Sequence, residues 1–188
     1  MNMNGPAPTS LLFRLRPMPG SHALAITCVL EQSLRSGRRP LLRGLDDTAF
    51  EHLVTHYFGD LPVHNGAPDD DTKTHGIDEF DDLLALLLAH CTTPGKEGRW
   101  LCHAVATAAM SDNHLWQDMG LPDRQALSAL LAENFPALAA RNTGNMRWKK
   151  FFYRQLCAAE GLTLCKSPHC AVCVDFAECF GPEDASQP

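Results

Sequence analysis

Four cysteines, Cys165, Cys170, Cys173 and Cys179, fall within fifteen positions of the sequence in the pattern C-x4-C-x2-C-x5-C. The central C-x2-C pair lets two thiolates turn onto one centre, and spacers of four and five residues give the chain room to bring in the other two. Two kinds of metal centre want such a set. Zinc binds four thiolates tetrahedrally at about 2.3 Å and usually recruits two tight pairs, whereas an iron–sulfur cube needs thiolates spread around a wider object. One tight pair with looser flanks leans toward the cluster and leaves a structural zinc site open. Disulfides suit the pattern less. They belong with a signal sequence, a shorter chain and cysteines scattered throughout, whereas here half of the eight cysteines are crowded together.

Other residues could serve such a centre. Arg147, Lys150 and Arg154 recur at i, i+3 and i+7, and Lys166 follows the first cysteine of the motif. A four-thiolate cluster is a net anion, so this basic shelf could stabilise it, hold a small oxyanion, or guide an acidic partner. The plainer alternative is a solvated helix face. His103, beside Cys102, and His114, in a polar stretch with Trp116, are candidates for a separate metal-entry site, although most histidines in a helical protein pack or cap. His169 is expected to be an exposed loop residue, because four thiolates already saturate one cluster. Cys28, Cys91, Cys102 and Cys157 lie in helical patterns among apolar neighbours, where cysteine acts as a small hydrophobe; Cys157, two turns before the motif, is also a weak candidate exchange ligand. No phosphate loop, G-x-S-x-G elbow, H-E-x-x-H helix or G-x-G-x-x-G turn is present, so no catalytic residue is assigned and a carrier is expected in place of an enzyme.

The elements that must position these groups read as helices. Ser21–Ser36 carries Leu24, Cys28, Leu30 and Leu34 at helical spacing, with Gly37 as the stop. Residues 45–58 form a second helix capped by Asp46 or Asp47, with Phe50, Leu53, Val54 and Tyr57 on one face and Gly59 closing it. Pro62, Gly66, Pro68 and an acidic run mark 60–76 as a linker or exposed loop. Further helices are expected over 77–91, 96–110, 122–141 with Pro122 in the first turn, and 145–160 ended by Gly161. Strand-like alternation is missing, so the fold class is all-α: an irregular orthogonal helical bundle with a C-terminal cysteine-rich metal-binding loop. The expected division is a flexible N-terminus over 1–20, a helical domain over 21–161, the cysteine-rich segment over 162–183 and a disordered tail over 184–188.

At 188 residues, 45% of them hydrophobic, the chain can bury one core unaided. A formal charge of −6, from 22 acidic and 16 basic residues, argues against a general nucleic-acid binder. No apolar run approaches the ~18 residues of a membrane helix, and residues 1–10 are neutral and contain proline, so a soluble cytoplasmic protein is expected.

The run NMRWKKFFYRQLCAAEGLTLCKSPHCAVCVDFAECFGPE closely resembles the C-terminal region of NifQ nitrogen-fixation proteins, whose cysteine motif it matches in full. DEFDDLLALLLAH (78–90), RWLCHAVATAAM (99–110) and DNHLWQDMGLPDR (112–124) also resemble that family, so the likeness spans residues 78–183, and the first seventy match more loosely. The resemblance implies a centre of the 4Fe-4S type, able to incorporate molybdenum, held by Cys165, Cys170, Cys173 and Cys179. It further implies donation of that molybdenum to the scaffold complex on which the nitrogenase iron–molybdenum cofactor matures, with the nitrogenase reductase component taking part. The competing expectation is a helical interaction domain with a structural four-cysteine zinc site.

Overall fold

The computed structural model describes residues 20–66, 77–159, 161 and 176–181. Among these the regular structure is helical, with no strand.

Helix α1, Ser21–Ser36, stops at Gly37, whose φ of 71° lets its N–H and that of Arg38 turn back onto the carbonyls of Leu34 and Ser33. The buried face differs from the one the leucine spacing suggests. Ala23, Ala25, Ile26, Val29 and Leu30 face inward, Cys28 is half-buried and Leu24 is 49% exposed. The small side chains win because they let α1 lie close against another small-residue surface, the alanines of α4, Gly95–Ala109.

Helix α4 is the centre of the molecule. Trp100 through Ala108 are all buried, and α1, α3 (Ile77–His90) and the short α5 (Leu115–Asp118) pack around it. Leu83 and Leu87 of α3 meet that core. Helix α2, Asp47–Phe58, has the expected Asp46 cap, whose carboxylate accepts from the Ala49 N–H at 2.7 Å. Its Phe50, Leu53, Val54 and Tyr57 are buried as the spacing predicts.

The stretch read as a linker is in part a structural staple. Asn65, 3% exposed, accepts from the Leu42 N–H at 2.9 Å and donates to the carbonyls of Leu42 and Leu45, while its own carbonyl accepts from Leu41. Residues 67–76 lie outside the described residues.

The helix expected over 122–141 is broken in two. Pro122 precedes the helix, Asp123 caps α6 (Arg124–Asn134), and α7 (Pro136–Ala139) starts afresh. Pro136 disfavours a helical conformation at Phe135, which sits at φ −135°, ψ 52°. Asn134 exploits the break: its carbonyl and side chain bond Thr92 and Thr93 in the α3–α4 loop, Ser21 at the head of α1, and Leu130. Helix α8 covers Trp148–Ala159, three residues later than the expected start, because Asn145 is left-handed at φ 53° and the Asn142 side chain brackets Met146. Trp148, Phe151 and Phe152 bury one face of α8, and a last short helix, α9, spans Phe176–Phe180.

Candidate metal centre and its surroundings

Of the four motif cysteines, Cys165, Cys170 and Cys173 lie outside the described residues, as do Lys166 and His169. Cys179 is described. It sits half-buried on α9 against the edge of the core.

Three contacts hold this position. The Cys179 carbonyl accepts from the Arg147 N–H at 2.7 Å. Arg147 Nε donates to the Gly181 carbonyl at 3.4 Å. Phe180 lies over Gly144, where an added Cβ would come within 3.1 Å of its ring. Phe176 and Phe180 stack at 4.7 Å between centroids. The fourth cysteine is therefore pinned to the N-terminal end of α8, where helix N–H groups and the Arg147 guanidinium make a locally positive surface suited to a thiolate centre.

The basic shelf is divided by the fold. Lys150 and Arg154 are exposed, as is Tyr153 between them, and Arg147 is half-buried just before the helix. Lys149, which the sequence reading passed over, turns inward. Its ammonium binds the Ser111 carbonyl and meets Asp118 Oδ2 at 2.6 Å, and Asn113 also donates to Asp118. Burial pulls the Lys149 pKa below its ordinary value, and the Asp118 carboxylate opposes that shift. Thirty-one residues separate the partners, so no local spacing could have paired them.

The two candidate histidines sit in different settings. His103 is 6% exposed, with Nδ1 2.9 Å from the Arg43 carbonyl and its ring packed on Gly44. Burial lowers its pKa, so the neutral ring donates from Nδ1 to that carbonyl. His114 heads α5, its N–H bonded to Gln117 Oε1 at 3.1 Å. Among the described residues, no three His, Cys, Asp or Glu side chains are grouped to hold a metal. Cys102 and Cys157 are buried, and Cys28 and Cys91 are half-buried.

No helix among the described residues is long and apolar enough to cross a membrane. What the described residues define is a helical domain whose last short helix, bearing Cys179, is anchored at the head of α8.

A family model for NifQ matches residues 25–181, and the chain belongs to the NifQ family, which is implicated in nitrogen fixation. It is 38% identical over 170 residues to Protein NifQ of Azotobacter vinelandii, covering 82% of this chain and 87% of that one. Against Protein NifQ of Rhodobacter capsulatus the identity is 38% over 183 residues, covering 91% of this chain and 96% of the relative. A NifQ homolog of Sinorhizobium fredii is 50% identical over 99 residues, about half of this chain and 43% of its own. No solved structure matches.

Proposed function

We propose that this chain is a cytoplasmic carrier that holds an iron–sulfur centre of the 4Fe-4S type on Cys165, Cys170, Cys173 and Cys179 and supplies molybdenum for nitrogenase cofactor assembly. Family membership across most of the chain carries the proposal. The donor set agrees with it. Four thiolates are the usual complement for such a cluster, and Cys179 sits at the protein's edge beside a positive helix end. When bound, the cluster supplies soft sulfide ligands for molybdenum.

The protein's own residues have distinct parts in this scheme. Arg147 fixes Cys179 through its backbone and Gly181 through its guanidinium, so one residue orients the final ligand and contributes positive charge. Lys150 and Arg154 stand exposed on the same helix, placed to attract molybdate or an acidic face of the cofactor scaffold or the nitrogenase reductase component. His103 and His114 remain proposed points of molybdenum entry, His103 through Nε2 because its Nδ1 donates to the Arg43 carbonyl.

The test is metal and sulfide analysis of anaerobically purified full-length protein beside a Cys170→Ser/Cys173→Ser variant, before and after exposure to molybdate. Iron with sulfide that is lost in the variant, together with bound molybdenum, is the expected result. Zinc without sulfide from iron-replete cells would overturn it and leave a helical interaction domain with a zinc-stapled tail.

A further inference from the structure

A second thiol site lies away from the C-terminal motif, where α3 turns into α4. Cys91 immediately follows α3, and Cys102 lies on α4. The chain folds back between them so that Cys91 Sγ lies 3.7 Å from the Gly98 carbonyl and 3.8 Å from that of Thr93. Gly98 and Cys102 are one turn apart on the same face of α4. Gly98 makes the approach feasible: an added Cβ there would stand 3.2 Å from Cys91 Sγ and 2.0 Å from the Thr93 oxygen. The Gly98 carbonyl that Cys91 Sγ approaches belongs to the turn of α4 directly before Cys102, so the two cysteine side chains share one corner of the fold. Cys102 is fully buried and Cys91 half-buried, so one thiol of the pair meets solvent and the other stands behind it.

We propose that Cys91 and Cys102 form a redox-active dithiol, in which Cys91 attacks low-molecular-weight disulfides and Cys102 resolves the adduct to an internal disulfide. In the first step the Cys91 thiolate bonds to one sulfur of the reagent, and the other sulfur leaves as a thiolate. In the second, Cys102 gives up its proton, bonds to Cys91 Sγ and expels the second reagent thiolate. The two protein thiols are oxidised by two electrons, the reagent disulfide is reduced to two thiols, and the two protons pass to those leaving groups.

Local chemistry supports the division of roles. The neighbouring Cys102 thiol holds the Cys91 pKa below that of an ordinary thiol, whereas Cys91 and then burial raise that of Cys102. The Thr93 hydroxyl adds little, because it is committed to Asn134 Oδ1 at 2.6 Å. The site shares no residue with the proposed cluster ligands and does not depend on the carrier proposal.

The experiment treats the full-length reduced protein with oxidised glutathione under anaerobic conditions, then maps unreduced tryptic peptides. Lys96 and Arg99 lie between the two cysteines, so their peptides stay together after trypsin only if a disulfide joins them. The expected result is that crosslink, and in Cys102→Ser a glutathione adduct that accumulates on Cys91. Cys102→Ala serves as a second variant in case a buried serine unfolds the core, with circular dichroism confirming the fold. Cys91→Ser is expected to leave Cys102 unmodified. Absence of the Cys91–Cys102 crosslink in the parent protein, or equal glutathionylation of Cys102 in Cys91→Ser, overturns the proposal.

Discussion

Helix α4 is enclosed by neighbours along most of its length, with Leu101, Cys102, Ala104, Val105, Ala106 and Ala108 fully buried. Helix α9 is five residues long and joins the bundle through Arg147, Gly181 and the stacking of Phe180 over Gly144. A cysteine on the first, such as Cys102, is a core residue before it is anything else. A cysteine on the second, Cys179, sits half-buried at the edge of the core. The two regions rely on different physics: apolar burial holds α4, whereas α9 is held by hydrogen bonds to Arg147 and by the Phe180 ring over Gly144. Damage in one region should therefore leave the property of the other largely intact.

The largest expected effect is in the cysteine segment. Cys170→Ser/Cys173→Ser is expected to abolish iron and sulfide binding while leaving helical content by circular dichroism unchanged, and a collapse of the whole fold would break the comparison. In the bundle, Asp118→Ala strands the inward-facing Lys149 ammonium, and loss of a partner from a buried pair costs about 3 kcal/mol. Calorimetry should show Tm lowered by roughly 10 °C, with iron content per folded molecule retained at low temperature.

Gly98→Ala forces a Cβ into the Thr93 carbonyl, an overpacking expected to cost about 2 kcal/mol in denaturant titration and to slow Cys91–Cys102 crosslinking. Alkylation of Cys91 by iodoacetamide, followed by mass spectrometry, gives a finer reading. Its thiolate is the nucleophile and its pKa is shifted down to about 6, so the rate should rise through that pH and level off where an ordinary thiol still climbs. The smallest effect on stability is expected for Arg147→Ala, below about 1 kcal/mol by the same titration. It should nevertheless speed iron loss to a chelator, because Arg147 bridges α8 and the last cysteine turn.

Particular residues show how far local sequence reaches. Gly37, Asp46, Gly59 and the Phe50–Leu53–Val54–Tyr57 face are set by neighbours within one or two turns, through left-handed φ, side-chain capping and helical spacing. The break at Phe135 was legible too, since proline disfavours helix at the residue before it, but the periodic pattern continues across it and masks the stop. The cysteine motif was readable because its chemistry lies in spacings of two to five residues.

What the sequence by itself determined was the helical class, most of the helix positions, and the four cysteines whose spacing suits one centre. The tertiary structure decided which face of α1 is buried, that Asn65 and Asn134 staple distant loops, that Lys149 turns inward while Lys150 faces water, and that Cys91 packs onto the turn of α4 that leads to Cys102. The reason is distance along the chain. Caps, turns and C-x2-C pairs are set by neighbours, whereas these choices depend on packing and hydrogen bonding between segments up to 113 residues apart, as Asn134 and Ser21 are. Such partners meet only when the whole bundle closes around α4.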